Sequence, residues 1–278
     1  ICMIAKYPPI EGGESTKCYW LAKALGERGC EVHIVTNAFE VESFYREKLE
    51  GKDLENSFMP QGVYVHTTDP FVNPDYIPYS KSYTEKLANL AIEVIREYDL
   101  QIIDSWYILP YAISGFLAKI ITRKPQIIRH AGSDMAILLR SPYFNTLFIE
   151  LLQRADKIVT YPITKERLLR LGVKPEKLYF NRNVSVDLRA FNPKVPPLDL
   201  SRYIEKEIKN RPIITYIGKL GTTKGVYELA EVASMIKEDF MLLFVTNGQG
   251  LNQFKKFVEG LKLKEKVAPN PLTMARKA

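Results

Sequence analysis

The chain has 278 residues, 46% of them apolar, and a formal net charge of +7, which suits one large or two ordinary domains. No apolar run approaches the ~18 residues that a membrane-spanning helix needs, so no transmembrane helix is predicted. The three cysteines, Cys2, Cys18 and Cys30, have no metal-like spacing. They favour a reducing compartment, so we expect a cytoplasmic protein without zinc.

The positive charge says little about partners. Lys and Arg alternate with Glu along most predicted helices, as on ordinary solvated faces. No basic block carries the interleaved aromatic residues typical of RNA binding, so no nucleic-acid partner is expected. A phosphorylated substrate explains the excess charge as well as an anionic membrane surface does, and a peripheral membrane contact therefore stays open.

The first 25 residues predict a strand, a tight turn and a helix. Residues 1–5 form an apolar run typical of a buried strand, and a helical pattern follows the pair Gly12 and Gly13. We expect Ser15 or Thr16 to cap that helix. A glycine turn at a helix N-terminus favours an anion, because main-chain N–H groups and the helix dipole both point at it. An ordinary strand-to-helix turn is the alternative.

Strand and helix patterns then alternate along the first two thirds of the chain. Strands are predicted at residues 1–5, 31–36, 62–66, 101–104, 126–129, 157–161 and 177–180, and helices at 83–98, 110–121, 144–152 and 165–171. Residues 130–134 are predicted as a loop. This alternation favours an α/β fold with a parallel sheet and helices on both faces. Such sheets bind ligands where their strands end, which is where Gly12, Gly13, Trp106 and His130 fall.

The prolines between residues 192 and 211 predict a linker. We therefore divide the chain into an N-terminal Rossmann-like domain over residues 1–191, the linker at 192–211, and a second Rossmann-like domain over 212–278. In the second domain, strands are predicted at 213–217 and 240–245, and helices at 227–236 and 253–261. The second domain is short for a doubly wound fold, which indicates that it is partial.

A second glycine-bounded turn lies at residues 218–225. Lys224 stands where a helix is predicted to begin, although a cation there opposes the helix dipole. An anion between this lysine and the helix N–H groups would explain its position, and Lys219 at the strand end would face the same place. The order of residues is not that of a P-loop, and no Gly-x-Gly-x-x-Gly follows the first strand.

Taken together and in order, these motifs resemble retaining glycosyltransferases of family 4. The resemblance covers residues 1 to about 267. It implies the GT-B fold, in which two Rossmann-like domains with parallel sheets face each other across a cleft. The motifs that carry it are Pro8-Pro9 with Gly12-Gly13, Gly29-Cys30-Glu31-Val32, Ala155-Asp156-Lys157-Ile158-Val159, Gly172-Val173-Lys174-Pro175, Asn183 to Asp187 with Phe191, Gly218-Lys219-Leu220 with Lys224-Gly225, and Asn247-Gly248-Gln249.

The resemblance implies a role for each matching residue. Gly12 and Gly13 would bring main-chain N–H groups to the donor phosphate or the acceptor. Lys219 and Lys224 would hold the nucleotide diphosphate and stabilise it as a leaving group, without a metal or another cofactor. Lys219 replaces the arginine usual in the family, which keeps the charge but loses the bidentate fork. Gly218 and Gly248 complete the donor-binding set.

The segment His130-Ala131-Gly132-Ser133-Asp134 resembles the family's His-Gly-x-Asp motif. The family's histidine contacts the transferred sugar, which implies a catalytic role for His130, although Ala131 occupies the aligned position. The alternative is a packed or solvent-facing histidine. Asp134 and Trp106 are assigned to binding of the acceptor. The alternative for Asp134 is capping of the next helix, and the alternative for Trp106 is core packing.

The predicted activity is therefore transfer of a sugar from a nucleotide-diphosphate donor to a sugar, glycan or lipid acceptor, with retention of configuration. The family's Glu-x7-Glu pair does not appear after Asn247. This departure motivates a second hypothesis, a non-catalytic nucleotide-sugar-binding or scaffold protein. An isomerase acting on a nucleotide sugar is a weaker third.

Overall fold

The chain forms two compact units, Ile1–Asp187 and Leu188–Ala278, in a computed structural model. The structure describes residues 1–40, 58–68, 83–180, 187–189, 191–197, 199–200, 212–221, 224–246, 250–261 and 263. Gly248 and most of the predicted linker at 192–211 lie outside these residues.

The first unit is built on a parallel sheet of seven strands in the order β3-β2-β1-β4-β5-β6-β7. The sheet confirms the predicted α/β class. The chain runs outward from β1 to β3 and then returns to β4 on the other side of β1. The strands are β1 Cys2–Ile4, β2 Val32–Thr36, β3 Val63–Thr67, β4 Ile103–Trp106, β5 Gln126–Arg129, β6 Lys157–Thr160 and β7 Leu178–Phe180.

Helices cover both faces of this sheet, as predicted. Successive residues of a strand point to opposite faces. Met3 packs in a cluster with residues of the first helix, whereas Cys2 and Ile4 pack in a cluster with residues of the second and third. The helices are α1 Gly13–Gly26, α2 Tyr83–Glu97, α3 Ile113–Thr122, α4 Gly132–Ala136, α5 Asn145–Arg154 and α6 Lys165–Arg170.

Most predicted bounds differ from the observed ones by one or two residues, and three differences lie in or beside the segments that carry the candidate residues. Gly12, not Ser15 or Thr16, is the N-cap residue of α1, because its backbone turns with φ 139° and lets the helix begin at Gly13. The predicted loop at 130–134 contains the start of the short helix α4. The fourth strand begins at Ile103 rather than at residue 101, because residues 98–102 complete the turn after α2.

The second unit contains two parallel strands and two helices among the residues that the structure describes. Its strands are β8 Ile213–Ile217 and β9 Met241–Val245, and its helices are α7 Val226–Met235 and α8 Leu251–Gly260. The two helices pack on β9 through a core that includes Ala230, Leu242 and Phe254. The strand-helix order matches the predicted Rossmann-like pattern.

Candidate functional site

The candidate site is the edge of the first unit's sheet at which β1, β4, β5 and β6 end, here called the carboxyl edge. Because β1 pairs with β4, β4 with β5 and β5 with β6, the segments that follow these strands are neighbours. The sequence places candidate residues in three of these segments. Parallel α/β sheets bind ligands at this edge.

The glycine pair leads the chain from β1 into α1. Gly12 has φ 139°, a conformation that side chains rarely adopt, and a Cβ at Gly12 or Gly13 would meet no atom within 4 Å. The first N–H groups of a helix have no partner within the helix. The turn therefore offers main-chain donors with open space in front of the two glycines.

Glu14 and Lys17, which the sequence reasoning missed, lie in the first turns of α1. The Lys17 Nζ atom donates to Glu14 at 2.9 Å. Burial opposes the charge of Lys17, but hydrogen bonds to Glu14 and Tyr161 outweigh it, so the pKa of Lys17 is raised. Tyr161 directly follows β6, which also ends at the carboxyl edge. The adjacency of Glu14 to the glycine pair was the available signal.

His130 directly follows β5 and is 4% exposed. Its Nε2 atom lies 2.7 Å from the Thr160 hydroxyl, and its Nδ1 atom lies 3.3 Å from the Ala131 carbonyl. Burial lowers the pKa of His130 more than the Ala131 carbonyl and the Glu14 carboxylate raise it. The ring is therefore neutral at pH 7.

A chain of hydroxyl groups favours one tautomer of this ring. Thr164 donates to the Tyr161 carbonyl at 2.8 Å, which uses its one hydroxyl proton. The Thr160 hydroxyl, 2.6 Å away, then donates to Thr164 and accepts from His130. The Ala131 carbonyl, 3.3 Å from Nδ1, favours the opposite tautomer, but the hydroxyl contacts at 2.6 and 2.7 Å are shorter and outweigh it. We therefore place the proton of the neutral ring on Nε2 and leave Nδ1 as a hydrogen-bond acceptor.

Asp134 is buried and joins two loops of the carboxyl edge. One carboxylate oxygen accepts the main-chain N–H of Ala131 at 2.9 Å and that of Ile108 at 3.2 Å. Burial raises the pKa of Asp134, and the two N–H groups oppose this effect. Because Ile108 follows β4 and Ala131 follows β5, Asp134 fixes these loops relative to each other. The bond from the Ala131 N–H lies at the start of α4, so Asp134 also makes the helix-capping contact that was the alternative prediction.

Trp106 ends β4 and packs in the core beneath α1. Arg129, its partner across the strand pair, lies over the ring at 5.1 Å from the centroid. The Arg129 Nε atom also donates to both Asp104 oxygens, at 2.8 and 2.9 Å. Burial raises the pKa of Asp104 against the opposing effect of Arg129. The sequence reasoning missed this ion pair, since nothing local marks it.

The second unit holds the other predicted donor-binding residues. Gly218 donates its N–H to Val245, and a Cβ there would meet the Tyr216 hydroxyl at 3.0 Å. The same hydroxyl donates to the Lys219 carbonyl at 3.0 Å. Lys224 is exposed and lies two residues before α7, whose N-cap residue is Gly225.

The predicted residues thus fall into two groups. Gly12, Gly13, Trp106, His130 and Asp134 share the carboxyl edge of the first unit, whereas Gly218, Lys219 and Lys224 belong to the turn after β8. Within the described ranges, no group of three or more His, Cys, Asp or Glu side chains is placed to hold a metal ion. None of the helices in those ranges is both long and apolar enough to cross a bilayer.

The fold is of the GT-B class, as its structural relatives show. A glycosyltransferase from Rickettsia africae aligns with a TM-score of 0.66 and 19% identity, over 96% of this chain and 66% of that one. The Anabaena protein HepE, solved in complex with UDP-glucose, aligns with a TM-score of 0.65 and 14% identity, over 96% of this chain and 67% of that one.

The sequence profile of Glycosyltransferase Family 4 matches residues 12–183, so the chain belongs to that family. Among curated proteins, the N-acetyl-alpha-D-glucosaminyl L-malate synthase of Bacillus anthracis is 24% identical over 275 residues. That alignment covers 95% of this chain and 66% of the relative, so the chain spans just under two thirds of the relative's length.

Proposed function

We propose that the protein transfers a sugar from a nucleotide-diphosphate donor to an acceptor hydroxyl, with retention of the anomeric configuration and without a metal. Membership of Glycosyltransferase Family 4 supports the reaction class. A uridine nucleotide is the first donor to test, because HepE was solved with UDP-glucose.

The observation that carries the proposal is the state of His130 at the carboxyl edge. The ring is buried and neutral, and the hydroxyl chain through Thr160 leaves Nδ1 as an acceptor. A neutral imidazole can accept a hydrogen bond from a sugar hydroxyl without adding a charge to the site. Its orientation is fixed before the substrate arrives, which is the arrangement that catalysis requires.

We propose that lysine side chains and main-chain N–H groups bind the diphosphate. In the second unit, Lys219 and Lys224 would neutralise the departing nucleotide, and main-chain N–H groups at the start of α7 would donate hydrogen bonds to its phosphate oxygens. In the first unit, the N–H groups of Gly12 and Gly13 would donate to an oxygen of the donor or of the acceptor. Stabilising the leaving group lowers the barrier as the sugar becomes cationic. Lysines and N–H groups supply this field, so a metal is not needed.

The acceptor is assigned to the first unit. Asp134 fixes the two loops that would surround it, and Trp106 lies at the base of the same edge. The Bacillus anthracis relative is named N-acetyl-alpha-D-glucosaminyl L-malate synthase, a name in which the sugar is joined to malate. Malate therefore joins sugars, glycans and lipids in the set of acceptors to be tried.

The test is incubation of the protein with labelled nucleotide sugars and these acceptors. We expect transfer, with retained configuration visible in the anomeric coupling of the product and no loss of rate in a chelator. Lys224→Ala is expected to lower the rate about a hundredfold. Lys255→Ala, at an exposed position of α8, is the matched control and is expected to leave the rate unchanged.

Three outcomes would contradict the proposal. Equal transfer rates for Lys224→Ala and wild type would show that Lys224 does not stabilise the diphosphate. Tight binding of every donor without turnover would indicate a non-catalytic binding protein instead. A changed sugar released without any acceptor would indicate an isomerase.

A further inference from the structure

The carboxylate of Glu14 has one oxygen in use and one that is not. Glu14 lies in the first turn of α1, directly after the glycine pair. Its Oε1 atom accepts from the Lys17 Nζ atom at 2.9 Å, and its second oxygen has no hydrogen-bond partner among the residues that the structure describes. A carboxylate is an acceptor only. The second oxygen can therefore accept a hydrogen bond from a ligand.

This carboxylate lies close to the residues that follow β4 and β5. Burial raises the pKa of Tyr107, which directly follows β4, to about 12, and the Glu14 carboxylate adds to that rise. Burial lowers the pKa of His130, which directly follows β5, and the Glu14 carboxylate is one of the groups that oppose this effect. A charge shifts a pKa in this way only from nearby. Glu14 and His130 therefore belong to the same part of the carboxyl edge.

Lys17 and Tyr161 hold the carboxylate in place. The Lys17 side chain is hydrogen-bonded to both Glu14 and Tyr161, and the Tyr161 ring meets the His130 ring edge to face, with centroids 6.2 Å apart. The Glu14 side chain is nevertheless 23% exposed and that of Lys17 37%. The Glu14 carboxylate is thus fixed in position and still accessible from solvent.

The pairing with Lys17 indicates what kind of group would bind. The two side chains have no net charge together, so they do not attract an anion as an unpaired lysine would. The unused oxygen of Glu14 requires a hydrogen-bond donor, and so does the Nδ1 atom of His130. Two neighbouring acceptors beside an uncharged imidazole match a ligand with several hydroxyl groups, as a sugar has.

We propose that Glu14 is a specificity-determining residue whose second carboxylate oxygen accepts a hydrogen bond from a hydroxyl group of the transferred sugar. The inference rests on the proposed transferase function and adds a contact to its donor. The transferred sugar is favoured over the acceptor because it becomes cationic in the transition state, which a carboxylate stabilises. The alternative is an ion pair that stabilises α1 alone, since acidic residues in a first turn and paired charges three residues apart both favour a helix.

The test is single-turnover release of UDP, without an acceptor, from UDP-glucose and from its monodeoxy analogues, each of which lacks one sugar hydroxyl. For the wild type we expect one analogue to react about thirtyfold more slowly, because Glu14 loses its donor. Glu14→Ala is expected to slow UDP-glucose by a similar factor and to treat UDP-glucose and that analogue alike. Glu14→Gln keeps an acceptor oxygen without the charge and is expected to lie between the two.

Glu150→Ala is the matched control. Glu150 also pairs with a basic residue of its own helix, since it accepts from Arg154 at 2.9 Å. This pair lies toward the other edge of the sheet, because α5 ends where β6 is about to begin. We expect the wild-type rate and the wild-type preference among the donors. Melting temperatures close to that of the wild type would show that all variants are folded.

Two results would overturn the proposal. An unchanged rate for Glu14→Ala would show that no contact exists, and an equal loss with every donor would show a structural role that does not distinguish hydroxyl groups. Calorimetric titration with the same donors separates this outcome from failure of the proposed function. If the wild type binds UDP-glucose without turnover, the transferase proposal fails, and the affinities of wild type and Glu14→Ala for the analogues still test the contact. Absence of any donor binding would overturn both.

Discussion

Two buried histidines of the first unit show how differently the same side chain is used at the two edges of one sheet. His33 lies near the start of β2, where its Nδ1 atom is 2.9 Å from His66 and its Nε2 atom is 2.8 Å from Glu31. Its ring also stacks on Tyr64. His130 lies at the carboxyl edge, with one firm partner, the Thr160 hydroxyl.

The difference separates a structural histidine from a candidate catalytic one. Both nitrogens of His33 have side-chain partners, so the ring has no hydrogen-bonding capacity left for a substrate. The Nδ1 atom of His130 lies 3.3 Å from the Ala131 carbonyl, which is long for a hydrogen bond, and it has no side-chain partner among the residues that the structure describes. Burial alone therefore does not distinguish a catalytic histidine from a structural one. The distinguishing feature is a ring that is fixed in orientation and still has one nitrogen able to bond to a substrate.

The largest expected effect is at Asp134, which fixes the loop that carries His130. Asp134→Ala leaves the N–H groups of Ala131 and Ile108 without their acceptor, which is expected to cost about 2 kcal/mol in the free energy of unfolding. Turnover should fall as well, because the loop loses its position. Asp134→Asn keeps an acceptor oxygen and serves as the control. Denaturant unfolding of all three proteins measures the effect, and equal stabilities would contradict it.

At the opposite edge, His66→Phe removes the partner of His33 but keeps an aromatic ring. We expect a loss of about 1 kcal/mol in the free energy of unfolding, because a buried nitrogen of His33 becomes unpaired. Turnover should not change, which is the contrast with the carboxyl edge. Tyr64→Phe keeps the stack on His33 and both hydrogen bonds of that ring, so it is the matched control and is expected to be nearly neutral. A drop in turnover for His66→Phe would contradict the purely structural role of the His33–His66 pair.

Gly12→Ala tests the turn that leads from β1 into α1 at the carboxyl edge. A Cβ there meets open space, so the cost comes from the backbone conformation alone, about 1 kcal/mol in the free energy of unfolding. Gly13→Ala, where φ is ordinary and the space is equally open, is the matched control and should be nearly neutral. Thermal unfolding of both variants measures the difference. Equal losses of stability would show that the backbone conformation of Gly12 does not disfavour alanine.

The smallest expected effect is a dependence of stability on pH. The pKa values of His66 and His130 are both lowered, in each case first by burial, from the ordinary value of about 6.5. The unfolded chain therefore binds more protons below that pH, and stability falls as the pH drops from about 7 to about 5. His130→Asn and His66→Asn should each flatten this fall. An unchanged slope in both variants would show that neither ring is held neutral.

The regular elements could be predicted from the sequence because they depend on local patterns. Ile213–Ile217 and Gln126–Arg129 were predicted at their observed bounds, since each is an apolar run with clear ends. The cap of α1 was not, because Ser15 and Thr16 look like capping residues and only the backbone of Gly12 decides the start.

The partners of the site residues could not be predicted, because they are distant in sequence. Thr160 is 30 residues from His130, and Ile108 is 26 residues from Asp134. Residue type alone does not separate the three histidines, since His33 and His66 lie 2.9 Å apart and join β2 to β3. The residue type indicated a candidate, but only the contacts distinguish His130 from the other two.

The most direct test of the account compares substitutions at these two buried histidines in a single-turnover assay of UDP release from UDP-glucose. His130→Asn is expected to slow release about a hundredfold, whereas His33→Asn is expected to lower stability but leave the rate unchanged. The wild type sets the reference rate, and unfolding curves confirm that both variants are folded at the assay temperature. Equal rates for His130→Asn and wild type would contradict the assignment of the chemistry to the carboxyl edge.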